Sequence, residues 1–277
     1  MVSGREDILA RLAHMGGLPD EALDLGETAL LLGALDEQVH ALEHGRGHLA
    51  DLVDRAGQLG AEAQTATAMA AVLSQVLYEE AGYEGDRVTY DDPINANLLH
   101  VIERRRGLPV ALGLLYIHIG DKLDWPVHGL ALPGHFVIRV ALGEDRAVLD
   151  PFNGGAQIGT PELRTLLKRA MGPNAELRPA DVEAVSKRAV LLRLQNNIKS
   201  RAVADRRLDR AAVVLERMTL IAPSDPGIWY ERGLIESEIG HLGAAARALD
   251  NCLAHAGEGT LRESAKAALA KLRRQLN

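Results

Sequence analysis

Three histidines have the spacing that most resembles a chemical site, because His40, His44 and His48 recur at four-residue intervals. On a helix this interval aligns three imidazoles on one face, which would present nitrogen ligands to a metal ion. Gly45 and Gly47 weaken a helix at this point, and no carboxylate or cysteine is spaced to complete the coordination. The sequence also has no phosphate-binding loop, dinucleotide fingerprint or nucleophile elbow. We therefore predict no metal site and no cofactor.

Thiol chemistry is limited to one residue, because Cys252 is the only cysteine among the 277 residues. It falls on the packed face of a helical pattern, where cysteine usually behaves as a small buried hydrophobe. A single cysteine also excludes an internal disulfide and is typical of a reducing compartment. The N-terminus, with Arg5, Glu6 and Asp7 ahead of any apolar run, does not resemble a secretory signal. We therefore expect a cytoplasmic protein.

The formal net charge of −7 argues against nucleic-acid binding, which requires a clustered excess of lysine and arginine to neutralise phosphates. The densest basic cluster is Arg104, Arg105 and Arg106. Such a run is typical of a solvated helix face, with an anion site as the alternative. The longest apolar run, residues 108–120, is too short to span a bilayer. We expect neither nucleic acid nor a membrane as a partner.

The elements that position these side chains are predicted to be mostly helical. Aromatic residues make up only 3% of the chain while alanine and leucine recur throughout, which favours helices over an all-β fold. Helical periodicity covers the chain up to about residue 80. Asp92 and Pro93 then form a helix start, and Pro109 starts another helix after Gly107. That later helix is apolar on most sides, so we expect it at the centre of the domain.

Between residues 126 and 150 the apolar period changes to two, which is typical of strands. Three short strands beginning near His128, His135 and Arg146 predict a small antiparallel sheet. A cluster of turn residues at 172–174 marks a domain boundary near residue 180. The fold class is therefore α+β, with a domain over residues 1–180 and a helix-and-sheet core at 90–160.

The remainder, residues 181–277, repeats itself at a fixed interval. Leu208, Ala211, Leu215 and Met218 recur 34 residues later as Leu242, Ala245, Leu249 and Cys252. Thirty-four residues is the tetratricopeptide (TPR) period, and Trp229 and Gly233 stand where that motif places an aromatic and a small residue. Because so few repeats cannot bury a solenoid core unaided, we expect them to dock on the first domain, with a helix at about 259–276 as a cap.

Four ordered motifs resemble the bacterial SirB-type family: YDDPINAN at 90–97, ERRRGLPVAL at 103–112, LPGHF at 132–136 and LDPFNGG at 149–155. The resemblance spans residues 20 to 275. It implies a transglutaminase-like core, related in fold to papain-like enzymes that use Cys, His and Asp, followed by tetratricopeptide repeats.

The resemblance also implies roles for individual residues. His135 matches the family's histidine on one strand, and Asp150 matches the aspartate at the end of the next. The nucleophile should lie in the first turn of the central helix, where the helix N-terminus would lower a thiol pKa. That turn carries Pro109, Val110 and Ala111 instead, and members of the family often have Ser at the last of these positions. No side chain there can attack a carbonyl, so amidase or transglutaminase activity is not expected.

Five further residues are candidates for binding. Asn95 and Asn97 follow the helix start at residue 92, where asparagine side chains commonly satisfy loop amides, so a structural role competes with ligand contact. Arg105 is a candidate for binding an anion, while the resemblance implies one internal ion pair for the arginines at 104–106. Trp229 and Tyr230 are the first candidates for contact with a partner, although Trp229 is at least as well explained by packing within the repeat.

Two hypotheses for function follow. The first is a non-catalytic protein that binds, and through binding regulates, a protein or peptide partner by its TPR-like helices. The alternative is a hydrolase in which a dyad of His135 and Asp150 activates water against an amide or ester. The surroundings of Ala111 distinguish them, because a filled site favours binding and an open cleft favours chemistry.

Overall fold

A computed structural model describes residues 4–36 and 40–276 of the chain. The described residues form twelve α-helices: α1 (Gly4–Gly17), α2 (Leu25–Ala34), α3 (His40–Leu59), α4 (Ala66–Ser74), α5 (Leu98–Arg104), α6 (Pro109–Lys122), α7 (Thr160–Met171), α8 (Lys187–Ala204), α9 (Leu208–Ile221), α10 (Pro226–Glu238), α11 (Leu242–His255) and α12 (Thr260–Leu276). They also form six short strands: β1 (Glu84–Gly85), β2 (Arg106–Gly107), β3 (Val127–Leu130), β4 (Val137–Leu142), β5 (Asp145–Asp150) and β6 (Ala156–Gln157). This mostly helical α+β composition confirms the predicted fold class.

The chain divides into two compact units. The core unit is Asp20–Leu194, and the repeat unit combines Met1–Pro19 with Gln195–Asn277. The sequence placed the boundary near residue 180 and the N-terminal helix in the first domain, whereas the division falls within α8 and α1 groups with the repeats. Close packing explains the grouping of α1, since a Cβ on Gly16 would lie 1.8 Å from the carbonyl oxygen of Leu220 on α9.

Helix α6 occupies the centre of the core unit. Its first twelve residues, from Pro109 to Gly120, are all buried, which confirms the prediction from its apolar surface. Pro109 at the first helical position has no amide hydrogen to satisfy and has a backbone angle that suits the first turn. The helix packs closely on the sheet because Gly113 faces Phe136, where a Cβ would lie only 2.7 Å from the aromatic ring.

The main sheet is an antiparallel meander in the order β3-β4-β5-β6. Val127 pairs with Val140, and Ile138 pairs with Leu149, so apolar residues of neighbouring strands lie side by side on the face towards α6. The predicted sheet is present, but the sequence missed the two-residue strand β6. It also missed the parallel pair of β1 and β2, because strands of two residues carry no measurable periodicity.

The repeat unit contains the predicted helical pairs. The residues that recur at 34-residue spacing fall on α9 and α11, and Ala245, Leu249 and Cys252 belong to one buried cluster. Gly233 on α10 allows α11 to approach, since a Cβ there would lie 2.7 Å from the side chain of Leu249. Cys252 is fully buried, as the sequence predicted for a small hydrophobe, and burial raises the pKa of its thiol.

Candidate functional site

The sheet brings His135 and Asp150 together. His135 lies two residues before β4, rather than on the strand as the sequence predicted, and Asp150 is the last residue of β5. The Nε2 atom of His135 donates to Oδ1 of Asp150 at 3.0 Å. The side chains are 13% and 3% exposed. The other ring nitrogen, Nδ1, makes no hydrogen bond with any part of the chain that the structure describes. It can therefore still donate or accept one hydrogen bond.

Asp150 also organises the loop that follows it. Its carboxylate accepts hydrogen bonds from the backbone N–H of Phe152 at 3.0 Å and from the side-chain amide of Asn153. Burial alone would raise the pKa of Asp150. The hydrogen bond and charge of His135, together with the loop donors, lower it by more, so the pKa lies below its ordinary value. The carboxylate is therefore ionised at neutral pH and serves the loop as much as the imidazole.

The first turn of α6, where the family places its nucleophile, contains hydrocarbon side chains alone. Ala111 is 0% exposed, and its neighbours Pro109 and Val110 are also buried. The helix packs against the turn at Pro151–Asn153 and against β4. The turn is filled by its own packing, and it presents no hydroxyl or thiol to the imidazole.

Phe152 separates two polar environments. Its ring contacts His135 edge-on, with the ring centroids 6.3 Å apart and the planes at 84°. The same ring lines an open cleft of about 400 Å³ together with Arg87 and Arg106, and neither His135 nor Ala111 lines this cleft. The guanidinium of Arg87 lies 5.2 Å from the Phe152 centroid and donates to Asn153. The charged cleft is thus beside the dyad but does not open onto its imidazole.

Asn95 belongs to a buried network around Asp86. Asp86 is 2% exposed and accepts from the backbone N–H groups of Val88 and Thr89. Arg104 donates to Asp86 at 2.7 Å and to Asn95 at 2.8 Å, so it forms the internal ion pair that the arginine run allowed. Burial raises the pKa of Asp86, but these donors lower it well below the ordinary range. Asn95 is 0% exposed, and its side-chain amide donates to the carbonyl of Thr89.

Asn97 and Arg105 also have internal partners. Asn97 caps α5 by accepting from the N–H of Leu99 at 3.0 Å and donates to the carbonyl of Gly33. Arg105 donates to Nε2 of His48 at 2.6 Å and to the hydroxyl of Tyr83 at 2.7 Å. Its guanidinium lies 5.0 Å from the centroid of the tyrosine ring. These contacts support a structural role for both residues.

Trp229 and Tyr230 lie on α10 of the repeat unit. The indole Nε1 of Trp229 donates to the carbonyl of Pro223 at 2.7 Å, and Arg232 lies 5.7 Å from its ring. Both aromatic side chains are partly buried and pack against the apolar cluster of α11 and α12. Trp229 is therefore held by packing, while Leu234, one turn after Tyr230, is 42% exposed.

The histidine series does not gather at one point among the described side chains. His48 contacts Tyr83 and Arg105, while His44 lines a small cavity with His100 and Glu103. The side chain of His40 lies outside the described residues. Within the part of the chain that the structure describes, no three His, Cys, Asp or Glu side chains are arranged to hold a metal ion.

Two residues near the dyad were missed by the sequence prediction. Arg193 donates to the backbone carbonyls of Leu132 and His135, at 3.1 and 2.6 Å, and so fixes the segment that carries the imidazole. It lies beyond the predicted boundary at 180, so no local signal pointed to it. Phe152 belongs to the motif LDPFNGG at 149–155. Its position directly after Asp150 and Pro151 could have indicated that it lies beside the dyad.

No helix among the described residues combines the length and apolarity that crossing a bilayer requires.

Comparisons with known proteins agree with this architecture. The transglutaminase-like superfamily matches residues 43–196, and the tetratricopeptide repeat family matches residues 198–270. A UPF0162 protein of Xylella fastidiosa is 33% identical over 186 residues, which cover 66% of this chain. They also cover 66% of that relative, so the chain spans slightly under two thirds of its length. A UPF0162 protein of Pseudomonas aeruginosa is 31% identical over 189 residues, 68% of each chain. Protein SirB1 of Salmonella typhimurium is 28% identical over 168 residues, covering 60% of this chain and 62% of that protein.

No solved structure matches the chain. The matches confirm the resemblance drawn from the four motifs and the 34-residue repeat. The chain belongs to the transglutaminase-like superfamily and is a relative of the bacterial UPF0162 and SirB1 proteins.

Proposed function

We propose that this protein binds another protein through its repeat helices and does not catalyse acyl transfer. The observation that carries the proposal is Ala111, which is 0% exposed at the family's nucleophile position. Covalent acyl transfer requires a nucleophile within hydrogen-bond reach of its base. Cys252 does not replace it, because that thiol is buried in the repeat unit.

The repeat unit supplies the surface for binding. Tetratricopeptide helices generally mediate protein interactions. Tyr230 and Leu234 are four residues apart on α10 and therefore share one face of the helix. Leu234 is 42% exposed, so this face offers apolar area to a peptide or helix. Trp229 contributes by holding α10 in place through its bond to Pro223.

A second candidate function is hydrolysis by an activated water. It is favoured by one observation: Nδ1 of His135 has no hydrogen bond with a described residue, and Asp150 orients the imidazole through a bond of 3.0 Å to Nε2. A water bound at Nδ1 would be deprotonated by the imidazole, and the carboxylate would stabilise the imidazolium. The side chain of His135 is only 13% exposed, which restricts the access of a substrate to this water.

Hydrolysis assays separate the two candidates. Purified protein is incubated with chromogenic amide and ester substrates beside His135→Ala and a control, Glu144→Gln, in the exposed turn between β4 and β5. The binding proposal predicts equal rates for all three proteins. A rate that falls only in His135→Ala would establish the hydrolase instead.

Binding is tested by affinity capture from an extract of the source cells, with the intact protein as bait. We expect partners to be retained by wild type and lost by the double variant Tyr230→Ser, Leu234→Ser. Leu142→Ser is the matched control, because Leu142 is 41% exposed and lies in the core unit. Partners that survive the α10 variant but are lost with Leu142→Ser would contradict a repeat-mediated interaction.

A further inference from the structure

A second cavity lies between α2, α3 and α6 of the core unit, away from the dyad. Its volume is about 380 Å³, within the usual range for small-molecule sites. Apolar side chains of Leu30, Leu49, Ala50 and Val53 form much of its wall. Along α6 it lies two turns, or about 10 Å, beyond Ala111. The cavity is therefore independent of the function proposed above.

His118 on α6 lines this cavity and is unusual among the buried polar residues. It is 6% exposed, yet its imidazole makes no hydrogen bond with any residue that the structure describes. Its ring nitrogens are not among the fully enclosed polar atoms that lack a partner, so they are accessible to a molecule in the cavity that His118 lines. The ring packs directly on the backbone of α2, since a Cβ on Gly26 would lie 2.4 Å from Nδ1. Burial lowers the pKa of His118, so the neutral ring offers an acceptor nitrogen.

Charged side chains at the cavity leave one carboxylate uncompensated. Lys122 is paired with Asp24 at 2.8 Å, and Arg46 is paired with Glu27 at 2.6 Å. Asp54 also lines the cavity, is exposed, and has no ion pair or hydrogen bond within the described ranges. The lining thus carries an excess negative charge beside an apolar wall and a neutral hydrogen-bond acceptor.

We propose that this cavity binds a small organic cation, a primary ammonium group on an apolar chain or ring. The ammonium donates to the imidazole of His118, and its charge is attracted by Asp54. The hydrocarbon part packs against Leu49 and Val53. A carboxylate ligand is disfavoured by the negative lining, and a neutral alcohol keeps the hydrogen bond but lacks the attraction between charges.

Isothermal titration of the full-length protein with three matched probes tests this order. Hexylamine, 1-hexanol and hexanoate have the same hydrocarbon chain and differ in head group. We expect the amine to bind about 1.5- to fivefold more tightly than the alcohol, the range for an exposed charge pair, and hexanoate to bind least. Addition of hexylamine should also shift the NMR signals of the His118 ring. Absence of binding by hexylamine at millimolar concentration, or equal binding of hexanoate, overturns the proposal.

Variants then locate the site. Asp54→Asn should weaken hexylamine binding by about 1.5- to fivefold and leave 1-hexanol binding unchanged. Glu62→Gln is the control, because Glu62 is an exposed carboxylate of the same unit that does not line the cavity. His118→Phe keeps a ring but removes both nitrogens, so it should weaken the amine and the alcohol alike. If that variant fails to fold, the exposed residue Asp54 still provides the test. Equal effects of Asp54→Asn and Glu62→Gln on hexylamine affinity would refute the site.

Discussion

Replacing Asp150 tests whether its carboxylate holds the loop together. Asp150 is 2% exposed and accepts three hydrogen bonds, from His135, Phe152 and Asn153. Hydrogen bonds to a charged group contribute about 1.5–3 kcal/mol each, and a buried N–H left without an acceptor costs about 1–3 kcal/mol. Because these contributions overlap, we expect Asp150→Ala to lower the free energy of unfolding by about 3–5 kcal/mol. Asp150→Asn retains the shape and an acceptor for the N–H of Phe152, so we expect a loss of about 1–2 kcal/mol.

Urea unfolding at pH 7 measures these changes. The chain has two tryptophans, Trp125 in the core unit and Trp229 in the repeat unit, so a Trp229→Phe background leaves fluorescence that reports on the core alone. Glu144→Gln serves as the control and should lie within about 0.5 kcal/mol of the background, as surface changes usually do. If Asp150→Ala lies within the same interval, the carboxylate does not stabilise the loop and the reasoning is refuted.

Three further predictions concern the supports of the site. Gly113→Ala adds a Cβ that would lie 2.7 Å from Phe136; we expect about 1–3 kcal/mol of destabilisation in thermal unfolding, and an unchanged midpoint would contradict close packing of α6. Burial and then the charge of Arg105 lower the pKa of His48 from 6.5 to about 4. Stability is therefore lost as pH falls from about 6.5 to 4, by about 1–2 kcal/mol after solvent screening, and His48→Gln should remove this loss because the amide stays uncharged; parallel pH profiles of the two proteins would refute it. Asn97→Ala removes the cap of α5 and the bond to the carbonyl of Gly33; we expect a loss of about 1–3 kcal/mol in urea unfolding, and a loss below 0.5 kcal/mol would show that water replaces the cap.

Sequence patterns predicted the elements that bury a continuous apolar surface. The central helix was visible because residues 109–120 are apolar on most sides, and a helix with such a surface is stable only when it is buried. The strands of the meander were visible because alternate residues, such as Ile138 and Val140, are apolar and buried, which gives a period of two. The repeat was visible because the same contacts recur at 34 residues. In each case local periodicity carries the information.

The placement of α1 and the division within α8 were not visible, because they depend on contacts between distant residues. Gly16 and Leu220 are about two hundred residues apart, and a glycine near the end of a helix reads locally as a simple stop. A turn at residue 172 is an equally ordinary signal, and the compact core continues beyond it to Leu194. Packing decides such groupings, and periodicity does not record which helices pack together.

The candidate site was reached by resemblance more than by pattern. Nothing in the spacing of His135 and Asp150 states that they meet, and the family motifs supplied that expectation. The partners that hold the pair, Arg193 and Phe152, depend on side-chain directions that a sequence does not specify. The role of Arg104 shows the same limit. An internal ion pair was one expectation for the run of three arginines, but the sequence did not show that its partner is Asp86, which is 2% exposed.

The hydrogen bonds of Asp150 give the His–Asp pair a structural role that does not depend on a hydroxyl or thiol in the first turn of α6. In an acyl-transfer enzyme the carboxylate is selected because it orients the base. Here two of its three bonds serve Phe152 and Asn153, which begin the loop that closes the sheet. Loss of the carboxylate would therefore disturb the fold even if no reaction depended on it. Retention of the pair is thus no measure of activity, and the decision rests on Ala111 and on what, if anything, occupies the space at Nδ1 of His135.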